Sequence, residues 1–149
     1  MSTFIRPAQA ADQPAIRAIV CAARLNPRDL DWQRFLVAEE AGRIVGVGQV
    51  KPHGDGSREL ASLAVIPELQ TQGIGGALMY ALLAREPGPV YLMCMDRLEP
   101  YYKRFGFRRL ARADLPSSFR AIGRFALALA LVSSLFGKRL QLIVMQRDG

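Results

Sequence analysis

The sequence is poor in the residues that build metal sites and disulfides. It has one histidine, His53, and two cysteines, Cys21 and Cys94, among 149 residues. Structural zinc sites are built from Cys and His ligands at short spacing, and no Cys-x-x-Cys occurs here. The two cysteines lie far apart in apolar segments, so we expect two buried, reduced thiols and no disulfide. No metal is expected.

Long hydrophobic runs and low-complexity segments are also absent. The longest uncharged apolar stretch, between Arg124 and Lys138, is well short of the ~20 residues that cross a bilayer. Arg6 and Pro7 stand where a signal peptide needs its apolar run. The length suits one folded domain, and no linker interrupts it. We therefore expect a single domain over residues 1–149, located in the cytoplasm.

The charge balance is basic. There are 20 Lys+Arg against 13 Asp+Glu, a net charge of +7. Such an excess suits nucleic acid, an acidic membrane or a phosphate-rich cofactor. The basic residues are dispersed, apart from a group between Arg104 and Arg112, and no RNA-binding, helix-turn-helix or zinc-finger motif occurs. A solvated basic face accounts for the excess, and no specific nucleic-acid partner is expected.

Apolar periodicity predicts a mixed α/β chain. We expect strands at residues 3–6, 35–39, 43–51, 59–65, 90–95, 107–110 and 140–146. Helices are expected after Asp12 and at residues 73–86, 99–104 and 116–135. Hairpin-connected strands, joined in one case by Ala41-Gly42, come before a strand–helix–strand unit. This order predicts a sheet that is antiparallel at first and parallel near a glycine-rich turn.

That glycine-rich turn carries the strongest chemical signal. Residues 63–78 read as an apolar strand, a proline-bearing turn and a glycine-rich entry into an amphipathic helix. The N–H groups and the dipole at a helix start form an anion site, and glycine permits close approach to the backbone. Neither this segment nor Gly46-Val47-Gly48 has the glycine spacing of a dinucleotide fingerprint. The alternative for Gly73, Gly75 and Gly76 is a tight turn with close helix–strand packing.

Two motifs resemble those of the GNAT acyltransferases. Gln70-x-x-Gly73-x-Gly75 is similar to the family's Arg/Gln-x-x-Gly-x-Gly/Ala motif, and residues 98–107 are similar to its Tyr-x-x-x-Gly-Phe segment. The order of elements is also that of the family over residues 3–110 and the last strand. The resemblance implies a GNAT fold, a mixed α/β (α+β) sheet with a helical insertion before the last strand. It further implies an N-acetyltransferase that uses acetyl-CoA as co-substrate and an amine as acceptor.

The resemblance also implies how acetyl-CoA is held. Its pyrophosphate would bind the backbone N–H groups of Gln70, Thr71, Gln72, Gly73, Ile74, Gly75, Gly76 and Ala77. Its pantetheine arm would pair with the main chain of Leu63, Ala64 and Val65. The N–H of Val65 would then stabilise the oxyanion that forms on the thioester. The chain departs from the family at Met95, where many members have an asparagine that contacts the cofactor arm.

Two residues are implied as catalytic. Tyr102 takes the position of the family's tyrosine before Gly106 and would protonate the departing thiolate. Tyr101 competes for this role, and packing in the core is the alternative for Tyr102. Glu59 resembles in position the general base of histone-type members; a solvent-facing ion pair or a chain of waters as base is the alternative. His53 lies in a glycine-rich loop, so we expect it to be exposed and do not place it in the site.

The segment from Leu115 to Gly137 is inserted where many members have a simple hairpin. It is predicted to be helical and apolar nearly all round, so a second face needs cover. We expect this second face to form a homodimer contact or a wall of the acceptor pocket. Contact with a lipid surface is the third alternative. A small-molecule amine is slightly favoured over a protein amine as acceptor, since nothing marks a peptide groove. A non-catalytic acyl-CoA-binding or regulatory module on the same fold is the alternative function.

Overall fold

The computed structural model describes residues 2–135, 137 and 141–149. In this part of the chain the strands are β1 (Phe4–Pro7), β2 (Phe35–Glu40), β3 (Arg43–Pro52), β4 (Arg58–Val65), β5 (Val90–Met95), β6 (Arg108–Arg109) and β7 (Leu142–Arg147). The helices are α1 (Gln13–Ala22), α2 (Ile74–Leu83), α3 (Glu99–Lys103) and α4 (Ser117–Ser134). The strand order of the mixed sheet is β1-β2-β3-β4-β5-β7-β6. The predicted fold class and element order are confirmed.

The chain separates into two compact units. The first consists of Met1–Lys51 and Leu60–Glu86, and the second of Pro52–Glu59 and Pro87–Gly149. Strand β4 contributes to both, because Arg58 and Glu59 belong to the second unit and the rest of the strand to the first. The single domain expected from the sequence is not tested by this division and stays a prediction.

The first unit is built on antiparallel strands. Phe4 of β1 pairs with Glu39 of β2, and Phe35 of β2 pairs with Gln49 of β3. Ala41 and Gly42, with φ of 50° and 77°, form the predicted hairpin turn between β2 and β3. The core combines residues from the strands, α1 and the loops on either side of α1: Ala8, Ile16, Val20, Leu30, Phe35, Val37, Val47 and Ala64.

Helix α2 lies very close to β3. A Cβ atom added to Gly46 would stand 3.0 Å from Cδ1 of Leu78, and one added to Gly48 would stand 2.9 Å from Cδ1 of Leu82. Both leucines are buried in α2. Glycine at these two strand positions therefore permits the close helix–strand packing, which explains Gly46-Val47-Gly48 without a nucleotide site.

The second unit is organised around β5. Tyr91 of β5 pairs in parallel with Glu59 of β4, which confirms the predicted parallel pairing near the glycine-rich turn. On its other side β5 pairs antiparallel with β7, which also pairs with β6. Phe119 at the start of α4 is fully buried and packs in a small core with Leu110, Leu115 and Val144. The first turn of the inserted helix is thus anchored in this unit.

Apolar side chains at the end of α4 and just after it are exposed to solvent. Leu131, Val132 and Leu135 are 61%, 53% and 82% exposed. The second apolar face predicted from the sequence comprises Leu127, Ala128, Leu131 and Leu135. The side chain of Leu127 lies outside the described residues, as does the predicted strand start at Leu140. In the described part of the chain, no helix combines the length and apolar character needed to span a membrane.

Both cysteines were predicted to be buried, and the burial of Cys21 differs from that prediction. Cys94 is buried in β5, whereas Cys21 is exposed on α1, and both are free thiols. Helix α1 buries Ile16 and Val20, and Cys21 is one residue further on, about 100° round the helix. Its apolar neighbours in sequence therefore do not bury it.

Candidate active site

The turn after β4 is tied to the end of that strand. A short 3₁₀ turn, Pro67–Leu69, follows β4 and leads to Gln70. The side-chain Nε2 of Gln70 donates to the carbonyl oxygen of Val65 over 3.1 Å. The N–H of Ile66 donates to the carbonyl of Val45 over 2.9 Å. The motif glutamine therefore has a side-chain role of its own, which fixes the path from β4 to α2.

The start of α2 has the geometry of an anion site. Gly73 is the N-cap, with φ of 84° and ψ of 3°, a left-handed conformation that favours glycine. The N–H of Ala77 donates to the carbonyl of Gly73 over 3.0 Å as the first helical hydrogen bond. The N–H groups of Ile74, Gly75 and Gly76 precede it, in the first turn that lacks helical partners.

The residues at the two ends of the predicted pyrophosphate-binding set, Gln70 and Ala77, have backbone N–H groups near carbonyl oxygens of the chain. Ala77 was included by resemblance, but its N–H is already used within the helix. At the other end, the N–H of Gln70 lies 3.4 Å from the carbonyl of Pro67. Thr71 has a φ of 69°, so the backbone is left-handed there as well as at Gly73. The segment between Thr71 and Gly76 thus carries the features expected of an anion-binding backbone.

The strand that precedes this turn contains an irregularity at Ser62. Its φ of 57° interrupts the alternation of side chains along β4. Gln49 of β3 is fully buried beside it, and its Nε2 donates to Oγ of Ser62 over 3.0 Å. The same Nε2 donates to the carbonyl of Asp29 over 3.2 Å. Sequence reasoning missed Gln49, which joins the loop before β2 to the strand predicted to pair with the pantetheine arm.

Tyr102 lies on α3 among aromatic side chains. Its ring makes edge contacts with Tyr101, at 5.1 Å between centroids, and with Phe107, at 6.2 Å. Burial raises the pKa of Tyr102 to about 12, and the charges of Cys94 and Tyr101 add to this effect. Its phenol is protonated at neutral pH, as a tyrosine ordinarily is, and this is the state that a general acid needs.

The spacing of the tyrosine motif follows from the end of α3. Gly106 has a φ of 89° and its N–H donates to the carbonyl of Lys103 over 3.1 Å. The N–H of Phe107 lies 3.4 Å from the carbonyl of Tyr102. A left-handed glycine that ends a helix, followed by an apolar residue that packs back on it, is a common helix terminus. The motif thus sets the position of Tyr102 against Phe107.

The competing tyrosine has different neighbours. Tyr101 packs against Phe105, at 5.3 Å between centroids, with the guanidinium of Arg104 6.0 Å from its ring. Burial raises its pKa as well, while the charge of Arg104 lowers it. Tyr102 remains the predicted acid because it holds the position of the motif tyrosine, four residues before Gly106.

Glu59 is buried, with 5% of its surface exposed, so the alternative of a solvent-facing strand residue is wrong. Its Oε2 lies 2.6 Å from Nε2 of His53. His53, expected to be exposed and outside the site, therefore contacts the predicted base. The reason is the loop before β4, which folds into a tight turn. The N–H of His53 donates to the carbonyl of Ser57 over 2.9 Å, and the N–H of Gly56 donates to the carbonyl of His53 over 3.0 Å.

A sequence signal for this contact exists. Asp55-Gly56 between two predicted strands is a typical hairpin turn, and Gly56 has the left-handed φ of 88° that such turns require. Interpreting residues 52–57 as a hairpin turn, rather than as an open polar loop, would have brought His53 towards the start of β4.

The family model of the acetyltransferase (GNAT) domain matches residues 31–109, more than half of the chain. The chain belongs to the GNAT acetyltransferase family. The resemblance inferred from the two motifs is confirmed. The matched residues include the glycine-rich turn, Glu59 and Tyr102.

Mycothiol acetyltransferase of Rhodococcus jostii strain RHA1 is similar in sequence to this GNAT domain. It is 35% identical over 89 residues, which are 60% of this chain and 29% of that protein. The chain thus spans less than a third of the length of this relative.

Solved structures share the fold. N-acetylglutamate synthase from Neisseria gonorrhoeae, complexed with coenzyme A and N-acetyl-glutamate, has a TM-score of 0.76 and 19% identity; the match covers 99% of this chain and 35% of that one. Rv2747 from Mycobacterium tuberculosis, in complex with CoA, has a TM-score of 0.73 and 23% identity, and the match covers 98% of this chain and 99% of that one. At these identities the likeness shows a common fold.

Proposed function

We propose that this GNAT domain transfers the acetyl group of acetyl-CoA to a small-molecule amine by direct attack on the thioester. The observation that carries the proposal is that the family-matched residues 31–109 contain a helix start with an anion-binding backbone, a buried carboxylate and a phenol held protonated. These are the groups that acetyl transfer to an amine requires.

Acetyl-CoA is the substrate that the glycine-rich turn fits. The first-turn N–H groups of α2, at Ile74, Gly75 and Gly76, donate to its pyrophosphate. The main chain of Leu63 to Val65 pairs with the pantetheine arm, as the family resemblance implies. The N–H of Val65 then donates to the thioester carbonyl oxygen, where negative charge develops during attack.

Proton transfers follow from Glu59 and Tyr102. Glu59 takes a proton from the acceptor ammonium, and the neutral amine attacks the acetyl carbonyl carbon. The carbon–sulfur bond breaks, and the electron pair leaves with the thiolate of CoA. Tyr102 donates its phenolic proton to that thiolate, and the nitrogen of the intermediate loses a proton, which reprotonates Tyr102 through solvent. Glu59 then releases to solvent the proton that it took from the ammonium, so one proton is released for each amide formed.

A covalent acetyl-cysteine does not form in this scheme. Burial raises the pKa of the Cys94 thiol to about 11, and the charges of Glu99 and Asp96 add to the effect. At neutral pH Cys94 is therefore a thiol, whereas the nucleophile would have to be the thiolate. The free thiols of this chain agree with the reducing cytoplasm, its proposed location.

A small acceptor is favoured by one structural neighbour. The Neisseria gonorrhoeae synthase is complexed with N-acetyl-glutamate, a small acetylated amine. We also propose that the exposed apolar residues at the end of α4 and just after it, Leu131, Val132 and Leu135, are covered by a second copy of the chain.

The test is turnover of acetyl-CoA with a panel of small amines and lysine peptides, followed as release of the free thiol of CoA. A small amine should give the highest kcat/KM, and Glu59→Gln should lower kcat by about 10²-fold or more. Tight acetyl-CoA binding without thiol release for any amine would instead support the non-catalytic binding module.

A further inference from the structure

The proposed base has a partner that its family resemblance does not supply. The chain's one histidine, His53, lies with Nε2 2.6 Å from Oε2 of Glu59, and both side chains are largely buried, at 20% and 6% exposed. A short hydrogen bond to a carboxylate in a buried environment is stronger than one in water. It therefore restricts rotation of the Glu59 carboxylate.

His53 is itself held by the start of the inserted helix. The ring of Phe119, in the first turn of α4, lies 5.2 Å from the imidazole, and the ring of Tyr91 lies 5.6 Å from that of Phe119. Tyr91 pairs with Glu59 between β5 and β4. Glu59 thus contacts His53, His53 contacts Phe119, and Phe119 contacts Tyr91, which pairs with Glu59 in the sheet.

A second contact joins the His53 turn to α4. Oδ2 of Asp55 accepts from Oγ of Ser117 over 3.0 Å and from the N–H of Ser118 over 2.9 Å. Oδ1 of Asp55 accepts from the N–H and Oγ of Ser57. Hydrogen bonds from Ser57 and Ser118 hold the pKa of Asp55 well below its usual range. The carboxylate is therefore ionised at neutral pH, as suits the N-terminus of a helix.

We propose that His53 is a positioning residue for Glu59, and that the first turn of α4 braces it through Phe119 and Asp55. The inference rests on the proposed function, since it requires Glu59 to be the base. Nε2–H of His53 donates to Oε2 of Glu59 and fixes the plane of the carboxylate toward the acceptor amine. In this chain the helical insertion then serves the chemistry, in addition to any surface it presents.

Two substitutions separate positioning from packing. His53→Gln keeps an amide N–H donor near the place of Nε2, whereas His53→Ala removes the donor. We expect His53→Ala to lower kcat on the order of 10- to 100-fold, because a misplaced catalytic group loses orientation. The KM for acetyl-CoA should stay unchanged, and His53→Gln should keep most of kcat. Equal losses of kcat in the two variants, or full kcat in His53→Ala, would overturn the proposal.

The brace is tested by Asp55→Asn, with Asp148→Asn as the matched control. Each substitution replaces one exposed carboxylate of the second unit by an amide. The carboxylate of Asp148 forms only a weak ion pair, with its Oδ1 4.0 Å from Nη2 of Arg108. Asp55→Asn should lower kcat in the same direction as His53→Ala, without a change in the KM for acetyl-CoA. Identical kcat values for the two asparagine variants would refute the brace.

A measurement without activity uses the same histidine. Because the untagged chain contains one histidine, its imidazole nitrogens give unambiguous signals in a ¹⁵N NMR spectrum. We expect Nε2 to carry the proton, and its signal to shift in Glu59→Gln. An Nε2 without a proton, or one insensitive to Glu59→Gln, would overturn the proposal. A wild-type chain that acetylates no amine refutes the proposed function, whereas an active wild type with a fully active His53→Ala refutes only the positioning role.

Discussion

Gly73→Ala tests whether the start of α2 depends on a left-handed backbone. Gly73 has a φ of 84°, and a Cβ atom added there meets no other heavy atom within 4 Å. The substitution therefore introduces no clash. Its cost comes from the conformation alone, because an L-residue with a side chain is disfavoured at this φ.

The size of the effect follows from that single cause. A left-handed backbone costs an ordinary L-residue about 1–2 kcal/mol relative to glycine. In a domain of this length, about 1 kcal/mol lowers the melting temperature by ~2–4 °C. Gly73→Ala should therefore reduce the Tm by ~2–8 °C and leave the fold intact.

Thermal unfolding followed by circular dichroism measures this, with Gly73→Asn as the matched control. Asparagine enters the left-handed region several-fold more often than most residues, so its loss of Tm should be smaller than that of alanine. A Gly73→Ala protein with the wild-type Tm, or equal losses for alanine and asparagine, would refute the assignment of the cost to backbone conformation.

The remaining predictions concern the cofactor site, the acid and the inserted helix. Acetyl-CoA at ~100 Kd should raise the free energy of unfolding of the wild type by about 2.7 kcal/mol. Gly75→Glu should abolish this stabilisation because its carboxylate repels the pyrophosphate. If acetyl-CoA still stabilises Gly75→Glu, the assignment of the cofactor site is wrong. Tyr102→Phe should lower kcat on the order of 10²-fold with acetyl-CoA affinity unchanged, and a wild-type kcat would make the phenol structural. The pKa of Tyr102 is raised to about 12 in the folded chain, so wild-type stability should fall as pH rises from ~10 to ~12. The urea midpoints of Tyr102→Phe should show a smaller fall, since the pKa values of Tyr101 and Cys94 are also raised. Leu131→Glu with Leu135→Glu should convert a dimer into a monomer by light scattering, and a monomeric wild type would exclude the homodimer.

The order of elements could be predicted because each one has a local cause. The strand expected at residues 90–95 coincides with β5, Val90–Met95, since a continuous apolar run between a proline-rich turn and a polar segment has few other outcomes. The glycine-rich turn was also local. Gly73 and Gly106 both take left-handed φ values that glycine makes accessible, and their spacing from neighbouring residues is set by a single helix end.

The contacts of Gln49 and of Phe119 could not be predicted because they join distant segments. Gln49 bonds the carbonyl of Asp29 and the hydroxyl of Ser62, and nothing in its strand sequence indicates either partner. His53 meets Glu59 through a tight turn and is covered by Phe119, which comes from an insertion much later in the chain. Such long-range packing decides burial, whereas sequence composition around His53 indicated exposure.

Acetyl transfer from acetyl-CoA to an amine is tested most directly by mass spectrometry of a reaction with acetyl-CoA and the best amine of the panel, with acetylated amine and free CoA quantified together. The wild type should form equal amounts of the two products, and both should be strongly reduced in Glu59→Gln. Free CoA without acetylated amine, or no product from any amine, would contradict the proposed acetyl transfer.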